Sequence, residues 1–229
     1  MRRTRRLILA GGLALGAWAV AAPARPRFAG IRRSFRTSSS PGAAVYDVVA
    51  GLFLGGYYDD IAADCAAILD GVDSPAVLEV GPGPGHLAVR LLALLPDGHW
   101  TGLDIDRAML DTAERRLVDE GFEARSTVVE GDVTVLPFDD ASFDLVVSSL
   151  SAHHWPDAAV GFGEIRRVLR PGATALVFDL PETWGHVETG FDGIGAASAA
   201  FDRPKRSRMR GIGPWTLVWR AELRRSTDG

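Results

Sequence analysis

The chain has 229 residues, of which 47% are hydrophobic, 24% charged and 8% aromatic. That is enough apolar chain to bury one sizeable core, and it excludes disorder throughout. One cysteine, Cys65, excludes an intrachain disulfide framework and any multi-thiolate metal site.

The formal net charge of −4 hides a split. Residues 1–46 carry nine arginines and no acid, which leaves 16 basic against 29 acidic residues in the rest of the chain. A body that acidic argues against a nucleic-acid partner, which needs a basic face. Between the arginines lies an uncharged run, residues 7–22. As a helix it would span about 24 Å, short of the roughly 30 Å hydrocarbon core. Its pattern suits a signal peptide, with small-residue pairs Ala17/Ala19 and Ala19/Ala21 as cleavage sites. It equally suits a short anchor, with membrane contact through residues 1–36.

Residues 23–42 are rich in Pro, Arg and Ser and read as a linker, so the leader ends at 42 and folded sequence fills 43–229. Helices are expected over 43–54 and 58–69, broken at Gly55-Gly56, making 43–74 a helical extension. From 75 to 180 strands and helices alternate. Strands are expected at 76–80, 99–104, 124–130, 142–148 and 173–179, with helices at 85–95, 107–120 and 157–169. Arg170-Pro171-Gly172 is expected to stop the last helix. This predicts an α/β fold: a doubly wound, mostly parallel sheet with helices on both faces. In 181–229 the pattern weakens. A glycine-rich helix is expected at 186–201, a solvated basic loop at 203–210 and one final strand at 215–223.

The chemistry concentrates at strand ends. Glu79-Val80-Gly81-Pro82-Gly83-Pro84-Gly85 puts an acid before a G-x-G-x-G turn that opens a helix. A carboxylate there would repel a pyrophosphate and suits a cationic ligand. Gly102-Leu103-Asp104-Ile105 ends the next strand with an acid able to accept two bonds from a ribose diol. Gly131-Asp132-Val133 follows the third strand, where a carboxylate can accept from an adenine amino group. Phe143-Asp144-Leu145-Val146-Val147-Ser148 runs to the cleft edge.

With these motifs and Arg167-Val168-Leu169-Arg170-Pro171-Gly172, the chain resembles the class I S-adenosylmethionine-dependent methyltransferases. The similarity is to the small-molecule group of ubiquinone and menaquinone biosynthesis, and it runs from about Tyr46 to Asp179. The resemblance implies a Rossmann-like methyltransferase sheet and S-adenosyl-L-methionine as cofactor. Gly81, Gly83 and Gly85 would pass under its methionine part beside Glu79. Asp104 would hold the ribose and Ile105 cover the adenine, with Asp132 and Val133 at the adenine edge. Ser148 would line the cleft near the methyl group. The family usually ends in two antiparallel strands, and only one is legible here.

A base helps methyl transfer to a hydroxyl, phenol or acidic carbon. The candidates are His153 and His154, just after the fourth strand. Tyr46, Asp47, Tyr57 and Tyr58 either touch substrate from a helical lid or pack. Trp155, Trp184, Trp215 and Trp219 either line an apolar pocket or fill the core. The expectation is a methyltransferase acting on a small or lipid-like acceptor. The rivals are a nicotinamide-dependent oxidoreductase and a non-catalytic binding protein with a degenerate methyltransferase fold. A donor kept inside cells shifts the leader's reading from secretion to an anchor at the cytoplasmic face of the membrane, with a plainly cytoplasmic protein as the alternative.

Overall fold

A computed structural model describes residues 54–181, 184–193, 205–210 and 217–227. In chain order they form α1 (Gly55–Ile68), β1 (Ala76–Val80), α2 (His86–Leu94), β2 (His99–Asp104), α3 (Arg107–Asp119), β3 (Ser126–Glu130) and β4 (Phe143–Ser149). There follow α4 (Ala158–Val168), β5 (Leu169–Asp179), α5 (Trp184–Gly193), β6 (Lys205–Arg210) and β7 (Leu217–Arg224).

The strands make one sheet in the order β3-β2-β1-β4-β5-β7-β6. The first five are parallel; β7 runs antiparallel to both β5 and β6. Strand β4 is buried along nearly its whole length around the apolar run Leu145–Val147, as a central parallel strand covered on both faces should be. Period-two alternation then sorts the side chains into two cores. Val77, Trp100, Leu145, Val147 and Phe178 pack with α1 and α2 on one face. Leu78, Val80, Leu103, Val146 and Val177 pack with α4 and α5 on the other. Burying Phe162 of α4 completely contributes about 1.5–3 kcal/mol. The helices start where side chains satisfy their first N–H groups: Asp106 accepts from Ala108 N at α3, and Asp157 from Val160 N at α4.

Several expectations change. Gly55 and Gly56 belong to α1, which starts three residues ahead of the expected 58, so their low helix propensity is overridden by the packing of Tyr57, Tyr58 and Ile61. Residues Glu123–Arg125 form a 3₁₀ turn before β3. Arg170-Pro171-Gly172 does not separate α4 from β5. Leu169 pairs with Phe143, the chain bulges, and pairing resumes at Leu145 with Thr174. Two antiparallel strands, not one, close the sheet. The basic run is mostly edge strand β6 rather than a loop. Its charges hid the strand pattern, and lysine and arginine on an edge strand discourage further strand pairing. The leader and linker (1–42), Tyr46, Asp47, the helix expected at 43–54 and Trp215 lie outside the described residues. Among the described residues no helix is long and apolar enough to cross a membrane.

The strand order reverses between β1 and β4. Doubly wound sheets open a crevice at such a point, beyond the carboxyl ends of the strands.

Candidate active site

The crevice holds a cavity of about 430 Å³. Glu79 forms its floor from the end of β1 and is 2% exposed. Burial pushes its carboxyl up to about 8, against a hydrogen bond from Trp100 Nε1 to Oε2 at 2.9 Å. Gly102 sits opposite Glu79 in the β1–β2 register. A Cβ there would stand 2.2 Å from Trp100 Cη2, so glycine is what lets the indole lie beside the acid.

The chain then turns sharply. Gly81 has φ +72°, and a Cβ on it would stand 2.0 Å from Ser151 Oγ. Its N–H donates to Leu103 O at 2.8 Å, tying the turn to β2. Asp104 at the end of β2 accepts from Gly83 N on Oδ2 (3.3 Å) and from Asp106 N on Oδ1 (3.0 Å). A carboxylate offers roughly four lone-pair sites, so those two bonds and a further one from the Ile105 backbone leave room for a ligand hydroxyl. Burial raises the Asp104 pKa, with the backbone N–H groups of Asp106 and Gly83 opposing. Beside it Ile105 is apolar yet 72% exposed, an uncovered surface on the cavity rim. Asp132 Oδ1 is held at 2.8 Å by both Thr134 N and Thr134 Oγ1. Val133 is buried next to it.

Of the residues expected from sequence, the cavity brings together Glu79, Gly81, Gly83, Asp104, Ile105, Asp132, Val133 and His154. Three stand elsewhere. Ser148 points to the opposite face of β4 from the Tyr57-facing Ser149, and its buried Oγ has no partner among the described residues. Ser149 takes its place in the lining, because a one-residue step along a strand changes face. Gly85 caps α2 behind the turn, where a Cβ would crowd Ala113. His153 lies outside the lining, with Nδ1 2.8 Å from Asp179 Oδ1. Of the tyrosines, Tyr58 lines the cavity and stacks on His86 (5.7 Å), and Tyr57 Oη is 3.0 Å from Ser149 Oγ. Trp155 is both core and cavity wall, while Trp184 stacks on Trp219 in the core.

Sequence reasoning missed Ser149, Ser151, Trp100 and Asp179. The acid at the end of β5 carried the same signal as those ending β1 and β2. Burial lowers the His154 pKa, helped by His153 and opposed by Asp179, which favours the neutral imidazole. A larger cavity, about 510 Å³, opens at the other end of the sheet. Its Arg170 is paired with Asp144, and it lies away from the reversal point.

Residues 77–172, which contain the acids ending β1 and β2, the glycine turn and Asp132, match a family model described as a methyltransferase domain. The segment is similar to methyltransferase domains. Around it the chain is similar to the demethylmenaquinone methyltransferase of Chlorobaculum tepidum, with 32% identity over 65% of this chain and 60% of that protein. It is 37% identical to the fatty-acid O-methyltransferase of Mycolicibacterium smegmatis over 48% of this chain and 41% of that one. The chain thus spans less than two thirds of the curated relatives it matches. In fold it resembles a SAM-dependent methyltransferase from Aquifex aeolicus, with TM-score 0.57, 16% identity, and coverage of 85% of this chain and 97% of that one. The matched segment thus resembles the methyltransferase domains of demethylmenaquinone methyltransferases.

Proposed function

We propose that the chain transfers a methyl group from S-adenosyl-L-methionine to a small or lipid-like acceptor. The observation that carries this reading is the pair of carboxylates, Glu79 and Asp104, on either side of the Gly81 turn in one cavity. An acid that a cationic ligand can ionise suits such a ligand, and a pyrophosphate beside it would only deepen the burial cost of ionising Glu79, which disfavours a nicotinamide dinucleotide.

The residues present fit the cofactor. Asp104 keeps a lone pair for a ribose hydroxyl, Ile105 is an apolar surface lacking cover, and Gly81 and Gly83 line the same cavity. Glu79 would face the methionine part, and Asp132 and Val133 the adenine edge. Bound S-adenosylmethionine supplies an electrophilic methyl carbon on a cationic sulfur. The chain's own work is to hold the acceptor in line and exclude water. His154, neutral near pH 7, would take a proton from the acceptor. That favours a quinol, a phenol or an acidic carbon over a carboxylate, which needs no base.

The test is calorimetry with S-adenosylhomocysteine, S-adenosylmethionine and NADH in parallel. Binding of the first two and not the third supports the reading; the reverse sinks it. For the leader, the proposal is an anchor holding the acidic domain at the cytoplasmic face, carried by the apolar run 7–22 between arginine clusters. Fractionation with external protease tests it: cleavage of the domain from outside the cell would contradict it.

A further inference from the structure

Asp179 ends β5 and is fully buried. Its carboxylate is held by its neighbours His153 and Leu180. Oδ2 takes His153 N at 3.0 Å, and Oδ1 takes Leu180 N at 2.8 Å and lies 2.8 Å from His153 Nδ1. A carboxylate only accepts, so the shared hydrogen sits on Nδ1 of His153. Backbone and ring of one residue are therefore both held by a single buried acid. His153 belongs to the short 3₁₀ turn Ala152–His154 that follows β4. Its ring centroid lies 3.9 Å from that of His154, which lines the cavity. Behind the turn, His186 Nε2 on α5 lies 3.0 Å from Trp155 O.

We infer that Asp179 is a positioning residue: through its double hold on His153 it fixes the turn and sets the His154 ring at the cavity wall. The inference rests on the methyl-transfer reading only for what His154 does there. The titratable groups around His154 are His153 and Asp179 behind it, and Glu79, Asp104, Asp106 and Asp132 across the cavity. Asp179 raises and His153 lowers the affinity of His154 for its proton.

The experiment follows the histidine ring signals by NMR in the full chain through a pH titration, for the parent protein, Asp179→Asn and His153→Gln. Asp179→Asn is expected to move the His154 midpoint down and His153→Gln to move it up. A scaffold defect alone would not produce opposite signs. Identical His154 midpoints in all three proteins would overturn the inference. His153→Gln leaves the buried acid in place and carries the test if Asp179→Asn does not fold.

Kinetics with a short-chain naphthoquinol as acceptor give a second readout. Both variants should lose about 10²-fold in kcat below the quinol's own pKa and converge on the parent above it, with S-adenosylhomocysteine affinity unchanged. A uniform loss at every pH would contradict a base-positioning role. Failure of the parent to bind S-adenosylhomocysteine would sink methyl transfer while leaving the histidine coupling to stand or fall on the titration.

Discussion

Trp100 and Glu79 form a buried donor–acceptor pair across two neighbouring strands, Nε1 to Oε2 at 2.9 Å. The indole helps Glu79 ionise, yet burial outweighs it and the acid stays protonated up to about pH 8. A cationic ligand beside Glu79 reverses that balance. Binding of S-adenosylmethionine at pH 7 is therefore expected to release up to one proton, and at pH 9 none. Calorimetry in buffers of different ionisation enthalpy measures it. A binding enthalpy independent of buffer at pH 7 would contradict the pairing of Glu79 with the cation.

The same acid sets a stability trend. Its folded pKa lies above the unfolded value, so the unfolded chain binds fewer protons between about pH 4.5 and 8. Glu79 then costs increasing stability as pH rises through that window. Glu79→Gln should match the parent in thermal midpoint at pH 4.5 and exceed it at pH 8, while binding cofactor more weakly.

Gly81→Ala places a side chain where Ser151 stands and in a left-handed conformation. The backbone strain alone costs about 1–2 kcal/mol, and Ser151 must move out of the cavity lining. Denaturant unfolding should show the loss, with S-adenosylhomocysteine affinity reduced in parallel. Gly102→Ala should disturb a different element, displacing the indole from Glu79 and changing tryptophan fluorescence.

Arg167 explains part of a motif that sequence reading could only match. Its guanidinium bonds both oxygens of Glu164 at 2.8 Å and the carbonyls of Leu136 and Phe138. Glu164 also accepts from Leu136 N. The pair braces the loop that follows Asp132 and Val133 from behind. Arg167→Lys keeps the charge and loses the fork; a cost of about 1–2 kcal/mol is expected, read by denaturant unfolding. Arg167 holds the Glu164 pKa below its usual value. That support is present above about pH 4.5 and is lost as pH falls through the folded value.

His154 has a lowered pKa, so the acid limb of kcat/KM for a quinol acceptor is expected below pH 6.5. The limb should disappear in His154→Gln. A limb above pH 6.5 would assign the base elsewhere.

How much of this was legible beforehand follows from the physics of each signal. The parallel strands and the acids ending β1 and β2 are local patterns, and the structure has them at the expected positions. Ser148 was misplaced because sequence alone does not fix which face of a fully buried strand meets the crevice. Trp100 and Asp179 were invisible as site residues because their roles depend on cross-strand register and on a turn closing over a neighbouring strand. Strand β6 was hidden by its own charges, which satisfy an edge rather than a core.

The most direct measurement is calorimetry of S-adenosylhomocysteine on the full chain and on Asp104→Ala. The account predicts saturable one-to-one binding to the parent and an affinity at least about tenfold weaker in the variant, the loss of about 1.4 kcal/mol expected when a ribose-binding carboxylate is removed. No heat of binding to the parent at high micromolar ligand, or equal affinities for the two proteins, would contradict it.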